Sequence, residues 1–271
     1  MQAGESLLFI FNLPPVIQMT EHLPIIYRDE HLIVINKPGG LLVHRSEIDR
    51  HETRFAVQLL RDQIGQTVYP IHRLDKPTSG VLVFALSSEI ARQLSDIFSR
   101  HEMIKTYVAL VRGFAPQQGI INHPLVEELD KYTDKKARSD KPAQEAITEF
   151  KLLAQIEFPF SIDKYPCTRY SLVRCTPKTG RKHQIRRHLK HISHPIIGDA
   201  KHGKGNHNRF FQEKFGCNGL MLASTQLEFT HPVTKEALTL IAPLAPNFIN
   251  IICQFGWKDT LPSSWMTHQD Y

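Results

Sequence analysis

The sequence lacks the patterns that define several common classes of protein. Its four cysteines (Cys167, Cys175, Cys217 and Cys253) are far apart and include no C-x-x-C pair, which argues against a disulfide framework and against a cysteine zinc site. No apolar run approaches the roughly 18 residues that a membrane-spanning helix needs. The short apolar run Leu7–Phe11 has no basic segment before it, so it does not match a secretory signal peptide. These absences predict a cytoplasmic protein with reduced thiols and no membrane segment.

Motifs for nucleotide binding and for nucleophilic catalysis are missing too. Neither G-x-G-x-x-G nor G-x-x-x-x-G-K-[ST] occurs, so no loop is recognisable for a dinucleotide or for nucleotide phosphates. There is no G-x-S-x-G motif of acyl-transfer enzymes. The histidines form no H-E-x-x-H motif, and no cysteine or carboxylate stands at metal-ligand spacing from them. We therefore expect neither a cofactor nor a metal ion.

Basic residues outnumber acidic ones. The 271-residue chain carries 33 Lys and Arg against 27 Asp and Glu, a net charge of +6, and 15 histidines in addition. A surplus of this size is typical of proteins that bind a polyanion such as a nucleic acid, but it also occurs on surfaces that are merely basic. Charge alone leaves both interpretations open.

Apolar periodicity predicts an α+β fold. Strand-like runs follow one another without regular βαβ alternation, which favours a mixed, mostly antiparallel central sheet flanked by helices and loops. The predicted strands cover 25–27, 32–35, 69–71, 80–86, 105–112, 146–156, 170–176, 220–230 and 238–241, and the predicted helices 53–64, 90–98 and 246–255. We expect residues 1–18 to be a loose N-terminal extension and residues 19–271 to form a single domain.

The turn His72–Gly80 is the first candidate for chemistry. It places four ionisable groups within five residues, between a short strand and a wholly apolar one. The end of a core strand is where a rigid scaffold presents reactive groups. The alternative interpretation is a solvated turn that proline and glycine terminate.

The stretch of residues 177–191 is the second candidate. Ile185, Leu189 and Ile192 recur at helical spacing and predict a helix with one apolar stripe. The rest of its circumference is basic, and no acidic residue occurs between Arg169 and Asp199. Because a solvated helix face normally mixes charges of both signs, this pattern favours contact with phosphates.

Two further charged segments each allow two interpretations. Residues 201–215 interleave cations with Phe210, Phe211 and Phe215, which is typical of contact with unstacked RNA bases but also of a basic surface loop held by its phenylalanines. Residues 126–145 mix both signs and fit either a solvated loop or a direct RNA contact.

Four ordered segments resemble the RluA family of pseudouridine synthases, enzymes that isomerise a uridine in RNA. They are Val34–His44, His72–Gly80 with H-R-L-D-x-P-T-S-G, Lys105–Tyr107, and Gly180–Arg186 followed by His194–Asp199. The resemblance extends over roughly residues 25–245. It implies the pseudouridine synthase fold, an RNA partner, and a reaction that uses neither cofactor nor metal ion.

The resemblance also implies roles for individual residues. Asp75 matches the essential carboxylate of the family. Arg186 matches the arginine that pairs with this carboxylate and favours its ionised form. Tyr107 matches the tyrosine that stacks on the target base and assists removal of the C5 proton of that base. These three are the predicted catalytic residues. The predicted substrate-binding residues are His72, Arg73, Arg181, Lys182, Arg187 and Leu222, with Arg73 filling the gap left by a flipped uridine. Lys37 also matches the family, and we interpret it as structural.

Weaker likenesses, among them Val126–Lys131 and Lys201–Gly203, favour the members of the family that modify uridine 65 of tRNA. The alternatives are another tRNA position or ribosomal RNA. Many relatives begin with an S4-type RNA-binding domain. We expect no such domain here, no obligate protein partner, and a monomer.

A non-catalytic RNA-binding protein would explain the charge but not the motif. A glycosidase or nuclease would need a second carboxylate or a metal set, and neither is recognisable.

Overall fold

The computed structural model describes residues 22–45, 52–128 and 142–267. Within these ranges it contains ten β-strands, five α-helices and two short 3-10 helices. The strands are β1 (Ile25–Arg28), β2 (Leu32–Lys37), β3 (Tyr69–Pro70), β4 (Ser79–Ala85), β5 (Ile104–Arg112), β6 (Gln118–Asn122), β7 (Ile147–Phe158), β8 (Thr168–Pro177), β9 (Leu222–Thr230) and β10 (Ala237–Ile241). The helices are α1 (Ala56–Ile64), α2 (Ser88–Ser99), α3 (Gln184–His191), α4 (Gly205–Phe215) and α5 (Pro246–Gln254), and the 3-10 helices are Lys258–Thr260 and Ser263–Trp265.

These ten strands form one sheet. Their order is β1-β2-β4-β9-β5-β8-β7-β6, with β3 beside β4 and β10 beside β9. Among the described pairings only β4–β9 is parallel, and it is two residue pairs long, with Ser79 opposite Ala223 and Gly80 opposite Ser224. This short contact therefore joins two antiparallel halves of the sheet, and it confirms the prediction of a mixed, mostly antiparallel α+β fold.

Helices cover both faces of β2 and β4. Every residue of these two strands is buried. Ile33, Ile35, Leu82 and Phe84 share a cluster with Leu60 of α1, whereas Leu32, Val34, Val81 and Val83 share one with Leu94 of α2. A strand that is buried on both faces needs apolar side chains at successive positions, which is why these runs do not alternate.

Local signals place several helix boundaries where the sequence predicted them. The Ser87 hydroxyl accepts a hydrogen bond from the Ile90 N–H at 3.3 Å and caps α2. Pro246 is the first residue of α5, where its missing N–H removes no helical hydrogen bond. Among the described residues, no helix has the length and apolar character to cross a membrane.

Other parts of the chain differ from the predictions. Strand β6 was not predicted, because it is a five-residue edge strand that pairs only with β7 and buries only Ile121.

The predicted extension 1–18 lies outside the described residues, and so do residues 129–141 of the charged segment.

The basic helix is shorter and more buried than predicted. The Gln184 side-chain carbonyl accepts hydrogen bonds from the Thr179 hydroxyl and the Arg181 N–H, so the preceding residues form a turn and α3 begins at Gln184. Within α3, Arg186 and His188 are buried beside the apolar stripe. The helix therefore does not present an all-basic circumference to solvent, because Arg186 pairs with two carboxylates and His188 is hydrogen-bonded to Thr148 and to the His123 carbonyl.

Residues 201–215 are not a loop of stacking aromatics. Residues 205–215 form α4, in which Phe211 is fully buried and Phe210 and Phe215 pack against the same core. Phe215 also contacts the rings of Phe158 and Phe255. Phe211 is thus a core residue, and the interpretation as an RNA-stacking side chain is wrong for it; Phe210 and Phe215 are partly buried against the core.

Gly80 is expected to be intolerant of a side chain. Its φ is +115°, and a Cβ there would lie 2.0 Å from the Ser224 carbonyl oxygen. We predict that Gly80→Ala lowers the free energy of unfolding by about 2–4 kcal/mol, through backbone strain together with overpacking at the β4–β9 contact. Gly65→Ala is the control: its φ is +67° but nothing lies within 4 Å, so only about 1 kcal/mol should be lost. Denaturant unfolding measures both, and equal losses would contradict the prediction.

Candidate active site

Asp75 lies where the two halves of the sheet meet. The turn that contains it leads into β4, and the β4–β9 contact brings this turn beside β5 and β9. A cleft of about 510 Å³ opens at this point. The sequence-predicted residues His72, Arg73, Asp75, Tyr107, Arg181, Arg186 and Leu222 all line it. Residues that are up to 150 positions apart in the chain are thus brought to one site.

Arg186 holds Asp75 from one side. Its Nη1 donates a hydrogen bond to Asp75 Oδ2 at 2.9 Å, and Arg186 is only 5% exposed. The Thr78 N–H donates to the backbone carbonyl of Asp75 at 3.0 Å and closes the turn. Within the described ranges no hydrogen bond reaches Asp75 Oδ1. Among the described residues, the carboxylate is therefore held through Oδ2.

A second carboxylate, that of Asp199, holds Arg186 from the opposite side. Arg186 Nε donates to Asp199 Oδ2 at 2.7 Å and Nη2 to Oδ1 at 2.9 Å. The Asp199 side chain is fully buried. Burial raises the pKa of Asp199, but hydrogen bonds from Arg186 and from the His202 N–H outweigh it and hold the pKa below its usual value. The Arg186 guanidinium thus lies between two carboxylates, those of Asp75 and Asp199.

Tyr107 contributes a neutral phenol. It lies on β5 and packs against both the cluster under α1 and the larger core cluster. Burial raises the pKa of Tyr107 to about 12. A hydrogen bond with Ser224 lowers this pKa, and the charge of Asp75 raises it. A phenol with this pKa keeps its proton at neutral pH, which favours stacking and hydrogen-bond donation over action as a base.

His72 is also neutral. Its Nε2 accepts a hydrogen bond from the Val83 N–H at 3.1 Å, and its ring stacks on Phe98 with centroids 4.9 Å apart. Burial lowers the pKa of His72 to about 3, and the charge of Lys105 adds to this effect. The ring therefore supports the turn against β4 and forms a wall of the cleft, without adding charge for a phosphate.

Cations line the mouth of the cleft. Arg73 and Arg181 are exposed, and Arg181 Nε also donates to the Glu145 carbonyl at 3.1 Å. Lys105 Nζ lies 5.5 Å from the centre of the Phe98 ring, and burial lowers the pKa of Lys105. This arrangement places positive groups around the opening of the cleft.

Lys182 and Arg187, which were also predicted to bind substrate, do not line the cleft. Lys182 Nζ donates to the Glu128 carbonyl at 3.1 Å, and Arg187 Nη1 donates to the Val126 carbonyl at 2.9 Å. Arg187 Nε is also 3.6 Å from the Glu128 carboxylate. Both cations thus hold the segment that follows β6, so a role for them in RNA binding stays a prediction.

The described residues contain one group with the potential to hold a metal ion. Ligand atoms of Glu128, His183 and His202 all lie within 4.8 Å of one another. His183 Nδ1 and His202 Nε2 are 3.0 Å apart and share a hydrogen bond. Glu128 is paired with Lys201 and lies near Arg187. Because these partners already satisfy the three side chains, protein contacts account for the group without a metal ion.

Sequence reasoning assigned no role to two residues that contact the Asp75–Arg186 pair. His183 Nε2 lies 3.8 Å from Asp75 Oδ2, and Asp199 holds Arg186. Asp199 had a signal in the sequence, since it is the acidic residue that ends the long basic stretch after Arg169. His183 lies within the motif segment Gly180–Arg186, but helical periodicity does not predict its left-handed backbone (φ +56°) at the start of α3.

A mixed sheet thus carries a carboxylate–arginine pair in a cleft whose opening is lined by cations. The family model described as RNA pseudouridylate synthase matches residues 31–191, and the chain belongs to this family. It is therefore a pseudouridine synthase, an isomerase, as the motifs predicted.

Curated relatives match most of the chain. tRNA pseudouridine synthase C of Vibrio cholerae is 52% identical over 239 residues, which are 88% of this chain and 98% of that protein. The protein of the same name from Haemophilus ducreyi is 54% identical over 238 residues, with 88% and 98% covered. Among solved structures, human RNA pseudouridylate synthase domain containing 4 has a TM-score of 0.64 and 28% identity, with 86% of this chain and 93% of that chain covered. The pseudouridine synthase fold is thereby confirmed.

His72 is expected to make stability depend on pH. Its pKa is about 3 in the folded protein and about 6.5 when unfolded. Between these values only the unfolded chain binds the proton, so stability is lost as pH falls, by about 1.4 kcal/mol per pH unit. His72→Asn does not titrate, so its free energy of unfolding should fall less steeply between pH 6 and 4.5. Urea unfolding at several pH values tests this, and identical slopes would refute it.

Proposed function

We propose that this enzyme converts a uridine of tRNA to pseudouridine and that Asp75, Tyr107 and Arg186 are its catalytic residues. The observation that carries the proposal is the paired carboxylate. Asp75 lies in the cleft with one oxygen 2.9 Å from Arg186 Nη1, and cations surround the opening. The reaction requires a carboxylate in a cleft whose cations can contact RNA phosphates.

The chemistry explains the need for Asp75. Pseudouridine formation breaks the C1′–N1 bond, turns the uracil, and joins C5 to C1′; C5 loses a proton and N1 gains one. Breaking a glycosidic bond develops positive charge at the sugar, and an ionised carboxylate stabilises that charge. Arg186 pairs with Asp75 at 2.9 Å and holds this carboxylate in the cleft. Since no electrons are exchanged and no nucleotide is consumed, we infer a reaction without cofactor.

The cleft also suits a flipped uridine. Taking a base out of its stack costs a few kcal/mol, and contacts in the cleft offset this cost. Tyr107 and Leu222 lie on the neighbouring strands β5 and β9 and offer a flat wall and an apolar wall to the uracil. Arg73 is exposed at the cleft and would fill the gap in the RNA, while Arg181 would contact phosphates.

The substrate follows from the relatives. Proteins named tRNA pseudouridine synthase C that are about half identical to this chain support tRNA as the substrate. The likeness of segments such as Lys201–Gly203 to the members that modify uridine 65 favours that position. Another tRNA position or ribosomal RNA is the alternative. We further propose that residues 19–271 act as a single catalytic domain, as a monomer in the cytoplasm.

Asp75→Asn is expected to abolish catalysis and preserve binding. The amide has the same shape but cannot stabilise positive charge at the sugar, so turnover should fall roughly 10³-fold or more. Release of tritium from C5-labelled tRNA measures turnover, and filter binding measures affinity. Asp62→Asn is the matched control, because Asp62 lies on the exposed face of α1 and its loss should change neither quantity.

The same assay separates the alternatives. Residual turnover of Asp75→Asn within about tenfold of wild type would contradict the assignment. Free uracil or shortened RNA would indicate a glycosidase or a nuclease. A wild-type protein that binds tRNA but releases no tritium would be a binding protein only.

Uridine 65 is tested with two tRNA transcripts that differ only at this position. We expect the transcript with uridine 65 to release tritium in proportion to one modified site, and the transcript with cytidine 65 to release none. Full release from the cytidine transcript would move the target to another uridine and leave the enzyme class unchanged. Ribosomal RNA labelled in the same way tests the other alternative.

A further inference from the structure

His183 lines the cleft beside Asp75 and presents one ring nitrogen to it. His183 Nε2 lies 3.8 Å from Asp75 Oδ2, and the His183 side chain is 15% exposed. This separation is too long for a hydrogen bond, and within the described ranges no hydrogen bond reaches His183 Nε2. A group that binds against Asp75 would therefore contact this nitrogen as well.

The other ring nitrogen of His183 faces two acceptors. His183 Nδ1 shares a hydrogen bond with His202 Nε2 at 3.0 Å and lies 3.6 Å from the Glu128 carboxylate. The negative charge of Glu128 favours a proton on Nδ1, because a carboxylate attracts the N–H group of an imidazole. A neutral imidazole carries a single proton on its two nitrogens. In the tautomer assigned from these contacts, Nε2 therefore keeps its electron pair on the side of Asp75.

His183 is also uncharged in the folded protein. Burial, together with the charge of Arg186, lowers the pKa of His183 to about 4, whereas the charges of Asp75 and Glu128 raise it. An uncharged imidazole is able to accept a proton. The imidazolium that results would lie between the carboxylates of Asp75 and Glu128, which stabilise its positive charge.

The other two rings of the cleft are less suited to accept a proton. Tyr107 keeps its own proton, because its pKa is about 12. His72 Nε2 already accepts the Val83 N–H, so the proton of this neutral ring is on Nδ1 and neither nitrogen has a free electron pair. Of these three rings, only that of His183 presents a free electron pair beside Asp75.

We propose that His183 is a further catalytic residue, the base that removes the C5 proton of the target uridine. This inference rests on the proposed function. The proton leaves after C5 has joined C1′, the atom at which Asp75 acts, so it leaves close to Asp75. The C5–H bond breaks, its electron pair forms the C5–C6 double bond, and the former C6–N1 double bond supplies the pair on which N1 takes up a proton from water. His183 Nε2 holds the C5 proton and returns it to water when the product leaves.

The test is His183→Asn, assayed with tRNA that carries either hydrogen or deuterium at uridine C5. Asparagine tolerates the left-handed backbone at this position (φ +56°), but its amide does not accept a proton. We expect kcat to fall roughly 10²-fold, at the lower end of what a general base contributes, and the Kd for tRNA to stay close to that of wild type. Chromatography of the digested nucleosides measures the pseudouridine formed.

The comparison of the two labels separates a base from a supporting side chain. Without the base, removal of the C5 proton becomes the slow step, so the deuterium isotope effect on kcat should be larger in His183→Asn than in wild type. A histidine that only supported the turn or the position of Asp75 would slow cleavage of the C1′–N1 bond. That step breaks no bond to the C5 hydrogen, and the isotope effect would not rise.

A second variant, His183→Gly, tests the same role by rescue. Glycine adopts the left-handed backbone without strain and leaves the space of an imidazole ring beside Asp75. Free imidazole in the buffer should restore turnover of His183→Gly in proportion to its concentration, and it should not restore turnover of Asp75→Asn. This measurement also keeps the test decisive if His183→Asn does not fold.

His31→Asn is the matched control. His31 is also a partly buried histidine, but it lies in the turn between β1 and β2, where its N–H donates to Asp29. It should leave kcat and the isotope effect unchanged. A folded His183→Asn variant with the isotope effect of wild type, or a His183→Gly variant that imidazole does not rescue, would overturn the role of His183 as a base. If wild type itself forms no pseudouridine, or if Asp75→Asn remains active, the proposed function fails instead.

Discussion

The parallel contact between β4 and β9 is only two residue pairs long, yet the position of the cleft depends on it. Each half of the sheet is antiparallel and built largely from neighbouring strands, so each could form its pairings locally. The contact at Gly80 brings the Asp75 turn of one half against Tyr107 and Leu222 of the other. It requires a residue without a side chain, because the β9 backbone passes at van der Waals distance. The glycine at the end of the catalytic motif is thus a packing requirement.

Burial of charge sets the second constraint. Asp199 and Arg186 are almost wholly removed from water, which is costly for unpaired ions and acceptable only when each ion has well-placed partners. Arg186 meets this condition with two carboxylates, and Asp199 with one guanidinium and two backbone N–H groups. Asp75 is the least buried of the three. The arrangement is rigid where it is buried and open where a substrate arrives, a combination that suits a catalytic carboxylate.

Several positive side chains donate hydrogen bonds to backbone carbonyls and so hold the protein together. Lys37 was interpreted as structural from the sequence, and its Nζ donates to the carbonyls of Pro38, Leu41 and Lys76 in the core. Lys182 and Arg187 likewise hold the segment at residues 126–128. A surplus of basic residues therefore overstates the number of cations that are free for RNA. Net charge is a statement about association and not about where each cation lies.

The sequence by itself determined the class of the fold, because apolar periodicity is local, and the motif around Asp75, because its residue types stand in a fixed order. The resemblance to the RluA family implied the pairing of Asp75 with Arg186, which the structure contains, and the role of Tyr107. The sequence also determined the start of α2 and α5, where capping chemistry is local. Only the tertiary structure decided which cations line the cleft. It also placed Phe211 in the core, with Phe210 and Phe215 packed against it, and paired Asp199 with Arg186. Those features depend on contacts between segments far apart in the chain, and periodicity within a single segment carries no information about what packs against it.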